Sequence, residues 1–313
     1  MDGRTLGLVG GVLVLLAAAT AVVQVLRKRA DGGIDPAILH TFRLRVRAWW
    51  LLCSMLAAAF LFPPAATVAL FALISFWALR EFITLTPTRP SDHRALFWVF
   101  FLCTPLQFLL VGLKWYSLFS IFIPVYAFLL IPARIAMAGD CRRFLERTAK
   151  IQAGLLICVY CLSYAPALLT TLALPDESPG ANARLLFFFV LIVQLSDALQ
   201  YAWAHVPSKH VIVPTVSPTR TWEGLLGGTA SVAMIGALFW WATPFKVWEA
   251  AGMSAITALM GFAGGLTLSA IKRDRGVKDY GTLVPGHGGV LDRIDSLCFA
   301  APVFFHVARW LFS

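Results

Sequence analysis

Between Lys272 and Asp295 the sequence sets five basic side chains among four acidic ones: Lys272, Arg273, Arg275, Lys278 and Arg293 against Asp274, Asp279, Asp292 and Asp295. Polyphosphate chemistry uses that mixture, because carboxylates hold a divalent cation while Lys and Arg neutralise the remaining phosphate charge. Gly286, Gly288 and Gly289 surround His287, giving a backbone that can approach an anion closely. Asp292 and Asp295 share a face if the chain is helical from Val290 onward. A solvated basic loop accounts for the charges. It does not account for glycines around one histidine followed by D-R-x-D.

Two upstream segments carry related chemistry. Asp197 lies in Leu195-Ser196-Asp197-Ala198-Leu199-Gln200-Tyr201, inside an apolar run, where an acid is costly unless it faces a cavity or a partner. Either it serves a site or it pairs with a basic neighbour and fixes helix packing; Gln194 and Gln200 continue its polar stripe. The loop from Ser208-Lys209-His210 to Ser217-Pro218-Thr219-Arg220-Thr221-Trp222-Glu223-Gly224 ends where a helix could open. A helix start beside Lys209 and Arg220 suits a phosphate. Trp222 reads as a headgroup-level belt residue or a stacking platform for a base, and Glu223 as a metal ligand or a first-turn acid complementing the helix dipole. No P-loop or dinucleotide fingerprint is present, and His205, His210 and His287 lack zinc spacing.

The elements that must position these groups are apolar. The 313 residues are 59% hydrophobic and 13% charged, against roughly 45–50% and 25% in a soluble domain, and mean hydropathy is +0.77. Long continuous apolar runs predict helices rather than the alternating strands of a barrel. The sequence predicts an all-α, polytopic transmembrane bundle of nine or ten spans, the ten candidates being 6–26, 49–62, 66–80, 95–113, 116–134, 151–173, 185–205, 225–243, 252–271 and 297–312. Spans 49–62 and 66–80 are short and meet at Pro63-Pro64, as a hairpin or a re-entrant pair. Residues 1–180 then form an N-terminal set of spans, and 181–313 a C-terminal region carrying the motif loops.

Alternate loops (27–47, 80–94, 134–150, 205–224 and 272–293) hold 21 of the 26 Lys and Arg. This bias makes that side cytoplasmic, as in a bacterial inner membrane, with both termini opposite. The net charge of +10 is spread between apolar blocks; it fits an anionic leaflet and argues against nucleic acid. Cys158 and Cys161 form a CxxC inside an apparent span with no second pair, which reads as buried thiols.

The segment S-x-x-K-R-x(4)-K-D-x-G-x(4)-G-H-G-G-x-x-D-R-x-D, Ser269 to Asp295, resembles the signature of the phosphatidate cytidylyltransferase (CDP-diacylglycerol synthase) family. Ser217 to Gly224 is similar to that family's SPxKTWEG motif. The resemblance implies a nucleotidyltransferase of phospholipid biosynthesis. CTP and phosphatidic acid, or a related phospholipid, would give CDP-diacylglycerol and pyrophosphate with Mg²⁺, and a second divalent or monovalent cation could take part. Membrane lipids are then its surroundings, and a homodimer is among the open oligomeric states. The resemblance assigns Asp197, Lys272, Asp279 and Asp292 to catalysis, and Asp197, Asp279, Asp292 and Asp295 to the metal. Substrate contacts fall to Lys209, Ser217, Arg220, Glu223, Ser269, Arg273, Lys278, His287, Gly288, Gly289 and Arg293.

The chain also departs from the pattern. The family's G-D-L-x-E-S reads Gly264-Gly265-Leu266-Thr267-Leu268-Ser269 here, and Arg220 replaces the usual lysine. The alternatives are a single metal, recruitment of Asp274, another phospholipid acceptor, or a catalytically silent relative that binds or transports lipid.

Overall fold

The computed structural model describes residues 63–85, 88–175, 180–206, 210–281 and 288–312, with individual positions of a helical segment between 7 and 24. Among these, seven helices are long and apolar enough to cross a membrane: α1 (Pro64–Leu85), α2 (Pro90–Gly112), α3 (Tyr116–Ala136), α4 (Phe144–Thr170), α5 (Ala181–Trp203), α7 (Val247–Asp274) and α8 (Leu291–Phe312). An eighth, α6 (Trp222–Leu238), has 17 residues. A two-stranded antiparallel hairpin, β1 (Val211–Val213) and β2 (Ser217–Thr221), precedes it. The chain is an integral membrane helix bundle.

The count of ten spans is not reached among the described residues. The span expected at 49–62 and most of that at 6–26 lie outside them. The span expected at 66–80 is a full helix of 22 residues starting at Pro64, where proline's missing N–H is no loss in the first turn. At a rise of about 1.5 Å per residue it is long enough to cross.

α2, α3 and α4 each contain a π-helical turn, at Val99–Cys103, Phe122–Ala127 and Leu156–Cys161. Pro105 follows the first and Pro124 lies inside the second; proline cannot donate its hydrogen bond, so the local ladder is rearranged. The free Cys158 and Cys161 sit in the third. Several buried polar groups in the spans are paired, as a low-dielectric interior favours, although Gln107 Oε1 and Thr148 Oγ1 have no hydrogen-bond partner among the described residues. Gln107 Nε2 donates to Phe119 O at 3.1 Å and Ser163 Oγ at 3.0 Å, and Ser75 Oγ to Cys158 O at 2.7 Å.

On the loop face, buried Arg147 pairs with fully buried Asp92, its Nη2 2.8 Å from Oδ1, and with Asp140. These pairs tie the first turn of α2 and the α3–α4 connection to the start of α4. Asp140 is held down at about 2, first by the Arg142 amide and then by Ser91 and Arg89. Because the folded value is lowered, this contribution is present above the unfolded carboxylate pKa and lost only as pH falls through about 2.

The C-terminal helices pack most extensively, α7 on α8 and α6 on both α5 and α7. Small residues permit it. Gly224, Gly228, Val232 and Gly236 form a buried stripe with a four-residue step along α6, the spacing that lets backbones approach in a membrane. A β-carbon at Gly228 would stand 2.8 Å from the Gln200 backbone, and one at Gly236 would collide with Ser254. Gly236→Val is expected to destabilise the bundle by about 1–3 kcal/mol, read as an earlier thermal unfolding in detergent.

Candidate active site

The convergence of α5, β2, α6, α7 and α8 encloses a cavity of about 230 Å³. Its lining sorts by chemistry: Asp197, Asp292 and Asp295 are acids, Arg220 and Arg293 are bases, and Ser217, Thr219, Thr221 and Ser269 carry hydroxyls. Leu225 and Phe262 close the apolar side. Asp197 is a half-buried residue of α5, while Asp292 and Asp295 come from the first turns of α8, which opens at Leu291. Thr221 caps α6, its Oγ1 accepting from Gly224 N at 3.0 Å, and this fixes where β2 delivers Arg220.

Asp197 and Asp295 are linked through Ser296. The Ser296 hydroxyl donates to Asp197 Oδ1 at 2.8 Å and lies 3.5 Å from Asp295 Oδ1, while its amide donates to Asp295 Oδ1 at 2.8 Å. Asp292 is engaged differently. Lys272 Nζ reaches its Oδ1 at 2.8 Å, and the amides of Tyr280 and Gly289 reach Oδ2 at 2.8 and 2.9 Å. Lys272 ends α7 and Asp292 begins α8, so this carboxylate closes the loop between them. Tyr280 anchors the same loop: its hydroxyl donates to Leu268 O at 2.9 Å, and its ring stacks on Phe82 of α1. Burial pushes its phenol pKa upward, so it stays a donor. Gly288 adopts φ +77°, and a β-carbon there would stand 2.8 Å from Asp292 Oδ2 and 3.2 Å from Asp279. Only glycine suits that turn.

A residue outside every motif completes the frame. Glu81, buried near the end of α1, accepts from Val290 N at 2.9 Å and Leu291 N at 2.8 Å. A carboxylate on the orphan amides of a helix start is favoured by hydrogen bonding and by the dipole. Glu81 thus caps α8 from 209 residues away along the chain. Gly281 and Gly289 leave room for it, since a β-carbon at either would crowd its carboxylate. The only sequence signal was an acid at the end of an apolar run.

Other sequence-predicted residues are placed variously. Ser269 donates to Gly265 O at 2.6 Å. Asp279, Lys278 and Arg273 are exposed and do not line the cavity; Arg273 Nε donates to Val216 O at 3.2 Å and holds the hairpin. Glu223 is likewise outside the cavity, paired with the amide and ring of His210. Asp274 pairs with Arg275 at 3.0 Å, away from the lining. Lys209 and His287 lie outside the described residues. Sequence reasoning missed Glu81, Ser296 and Tyr280.

Among the described residues no three His, Cys, Asp or Glu side chains converge as a metal-binding group. The cavity instead offers the Asp197–Asp295 pair. That donor set fits Mg²⁺, which usually takes one or two carboxylates and completes its shell with water and substrate phosphates.

The acids, guanidinium groups and hydroxyls gathered in one cavity of this helix bundle suit a phosphate-bearing substrate, and the chain's family and relatives make it a nucleotidyltransferase. The chain belongs to the cytidylyltransferase family, whose model matches residues 43–311. It is similar to "uncharacterized protein YnbB" of Escherichia coli (strain K12), 39% identical over 273 residues, 85% of this chain and 87% of the relative. It is also similar to the phosphatidate cytidylyltransferase of Staphylococcus aureus (strain COL), 36% identical over 129 residues, 41% of this chain and 50% of that enzyme. The enzyme of the same name from Staphylococcus haemolyticus (strain JCSC1435) is 36% identical over 120 residues, 38% and 46% of the two chains. The chain thus spans about half the length of these staphylococcal relatives.

Proposed function

We propose that this protein transfers the cytidylyl group of CTP to phosphatidic acid, giving CDP-diacylglycerol and pyrophosphate at the cytoplasmic face of a bacterial inner membrane. The observation that carries the reading is a cavity lined together by Asp197, Asp295, Arg220, Arg293, Ser217 and Ser269. An oxygen of the lipid phosphate forms a bond to the α-phosphorus of CTP, and the bond from that phosphorus to the bridging oxygen of the β-phosphate breaks. The attacking phosphate monoester is already ionised at neutral pH, so no general base or covalent intermediate is needed. Catalysis is then positioning and charge neutralisation.

Asp197 and Asp295 would hold Mg²⁺, which supplies Lewis-acid neutralisation of phosphate charge. Arg220 and Arg293 bind phosphate oxygens as planar donors. Ser217 would donate to a phosphate oxygen, while the Ser269 hydroxyl, already donated to Gly265 O, leaves only its oxygen lone pair to the cavity. Lys272 and Asp292 fix the start of α8, so that Asp295 and Arg293 are presented to the cavity at the right spacing.

The purified protein is expected to release pyrophosphate from CTP only when phosphatidate and Mg²⁺ are both present. Release of CDP instead would identify phosphate transfer from the γ-position and overturn the reading. Absence of turnover with every phospholipid monoester in a panel would leave a lipid-binding scaffold, the alternative raised by Gly265 and Leu268.

A further inference from the structure

We propose that Arg220 is the permanent second cation of this site, its guanidinium lodged over Gly265 in place of another metal ion, so that each chain takes one divalent cation. The inference rests on the reading of the cavity as a polyphosphate site and adds how its charge is balanced.

Gly265 lies buried within α7, where glycine weakens a helix. Its reason is Arg220: a β-carbon at 265 would collide with Arg220 Nη2 and stand 3.4 Å from Asp295 Oδ2. Guanidinium and carboxylate therefore border the same small volume. The guanidinium is held on its other sides too. Nη1 donates to Gln200 Oε1 at 3.3 Å, and Cζ stands 4.9 Å from the centroid of the Phe262 ring. Gln200 is itself fixed by its donation to Ala258 O at 3.2 Å. This arginine is built into the wall.

Phosphoryl and nucleotidyl transfer can be neutralised by two metal ions or by one metal ion and an arginine. A second metal needs ligands, and the third carboxylate of the cavity, Asp292, already accepts from Lys272 and two amides. An arginine stays charged at any working pH and cannot exchange with solvent. The two departures from the family pattern, Arg220 for lysine and Gly265 for aspartate, thus occupy one volume and constitute one change.

The test counts bound Mn²⁺ by electron paramagnetic resonance on the purified full chain, with and without α,β-methylene-CTP. One Mn²⁺ per chain is expected; two would overturn the inference. In Arg220→Ala/Gly265→Asp, where a carboxylate replaces the guanidinium, a second Mn²⁺ is expected. A count that stays at one, with the variant's melting temperature unchanged, would also overturn it. Gly265→Ala should lower pyrophosphate release tenfold or more at an unchanged metal count, with part of the loss recovered in Gly265→Ala/Arg220→Lys. Full activity of Gly265→Ala would show that Arg220 does not depend on the vacancy. If the wild type releases no pyrophosphate, the proposed reaction fails alone, and the metal counts still decide the charge balance.

Discussion

Asp292→Asn is expected to reduce cytidylyl transfer by about a thousandfold, the scale of losing a preorganised electrostatic element. The carboxylate has no oxygen to spare, since Lys272 occupies Oδ1 while Tyr280 and Gly289 donate to Oδ2. An asparagine side chain must turn its NH₂ toward either an ammonium or two amide donors, and each orientation sets donor against donor. Lys272 is 16% exposed, so the stranded ammonium is poorly solvated. Breaking a buried pair from one side costs about 3–5 kcal/mol. Activity and detergent melting should therefore fall together. A catalytic metal ligand with no structural duty would instead lose activity at unchanged stability, so the paired measurement tells the two roles apart. Lys272→Met/Asp292→Asn should regain melting temperature over Asp292→Asn without regaining activity.

The second large effect is expected at Glu81, which belongs to no motif. Glu81→Ala leaves the Val290 and Leu291 amides without their acceptor in a buried setting, at about 1–3 kcal/mol per group. Glu81→Gln offers only one acceptor to two donors and should behave almost as badly. The start of α8 then loosens, and with it the spacing of Asp292, Arg293 and Asp295. Turnover is expected to fall by tenfold or more, with the Mg²⁺ concentration for half-maximal rate shifted upward. A melting shift without any change in Mg²⁺ dependence would show that Glu81 only stabilises the fold.

The class of the fold was legible because a bilayer demands apolar blocks of a set length, and these blocks are plain in the sequence. Helix ends were less so. The expected span 66–80 runs from Pro64 to Leu85, because Arg80 and Glu81 looked like the start of a loop. The site was legible where its residues are near in sequence: Asp292, Arg293 and Asp295 share a helix start, and Ser217 and Arg220 share a strand. Glu81 was not, since its partners are backbone amides, which carry no sequence signal. Gly265 and Arg220 could be read only as two separate departures, because the volume they share exists only once α7 and β2 are packed together. The exposed charges of the motif loop were read as ligands from spacing alone; Arg273 also holds the hairpin through a backbone oxygen, a contact that spacing does not reveal.

One wall of the cavity is the N-terminal turn of α6, through Thr221, Gly224 and Leu225, and α6 has only 17 residues. At about 1.5 Å per residue this helix is a few ångströms shorter than a hydrocarbon core of about 30 Å. Lipids beside a short helix thin rather than leave its ends dry. The leaflet should therefore dip at α6, lowering phosphate headgroups toward the carboxylates and reducing the distance an acceptor must be lifted out of the bilayer. Hydrophobic mismatch, usually a cost to be minimised, would here serve as a means of substrate delivery.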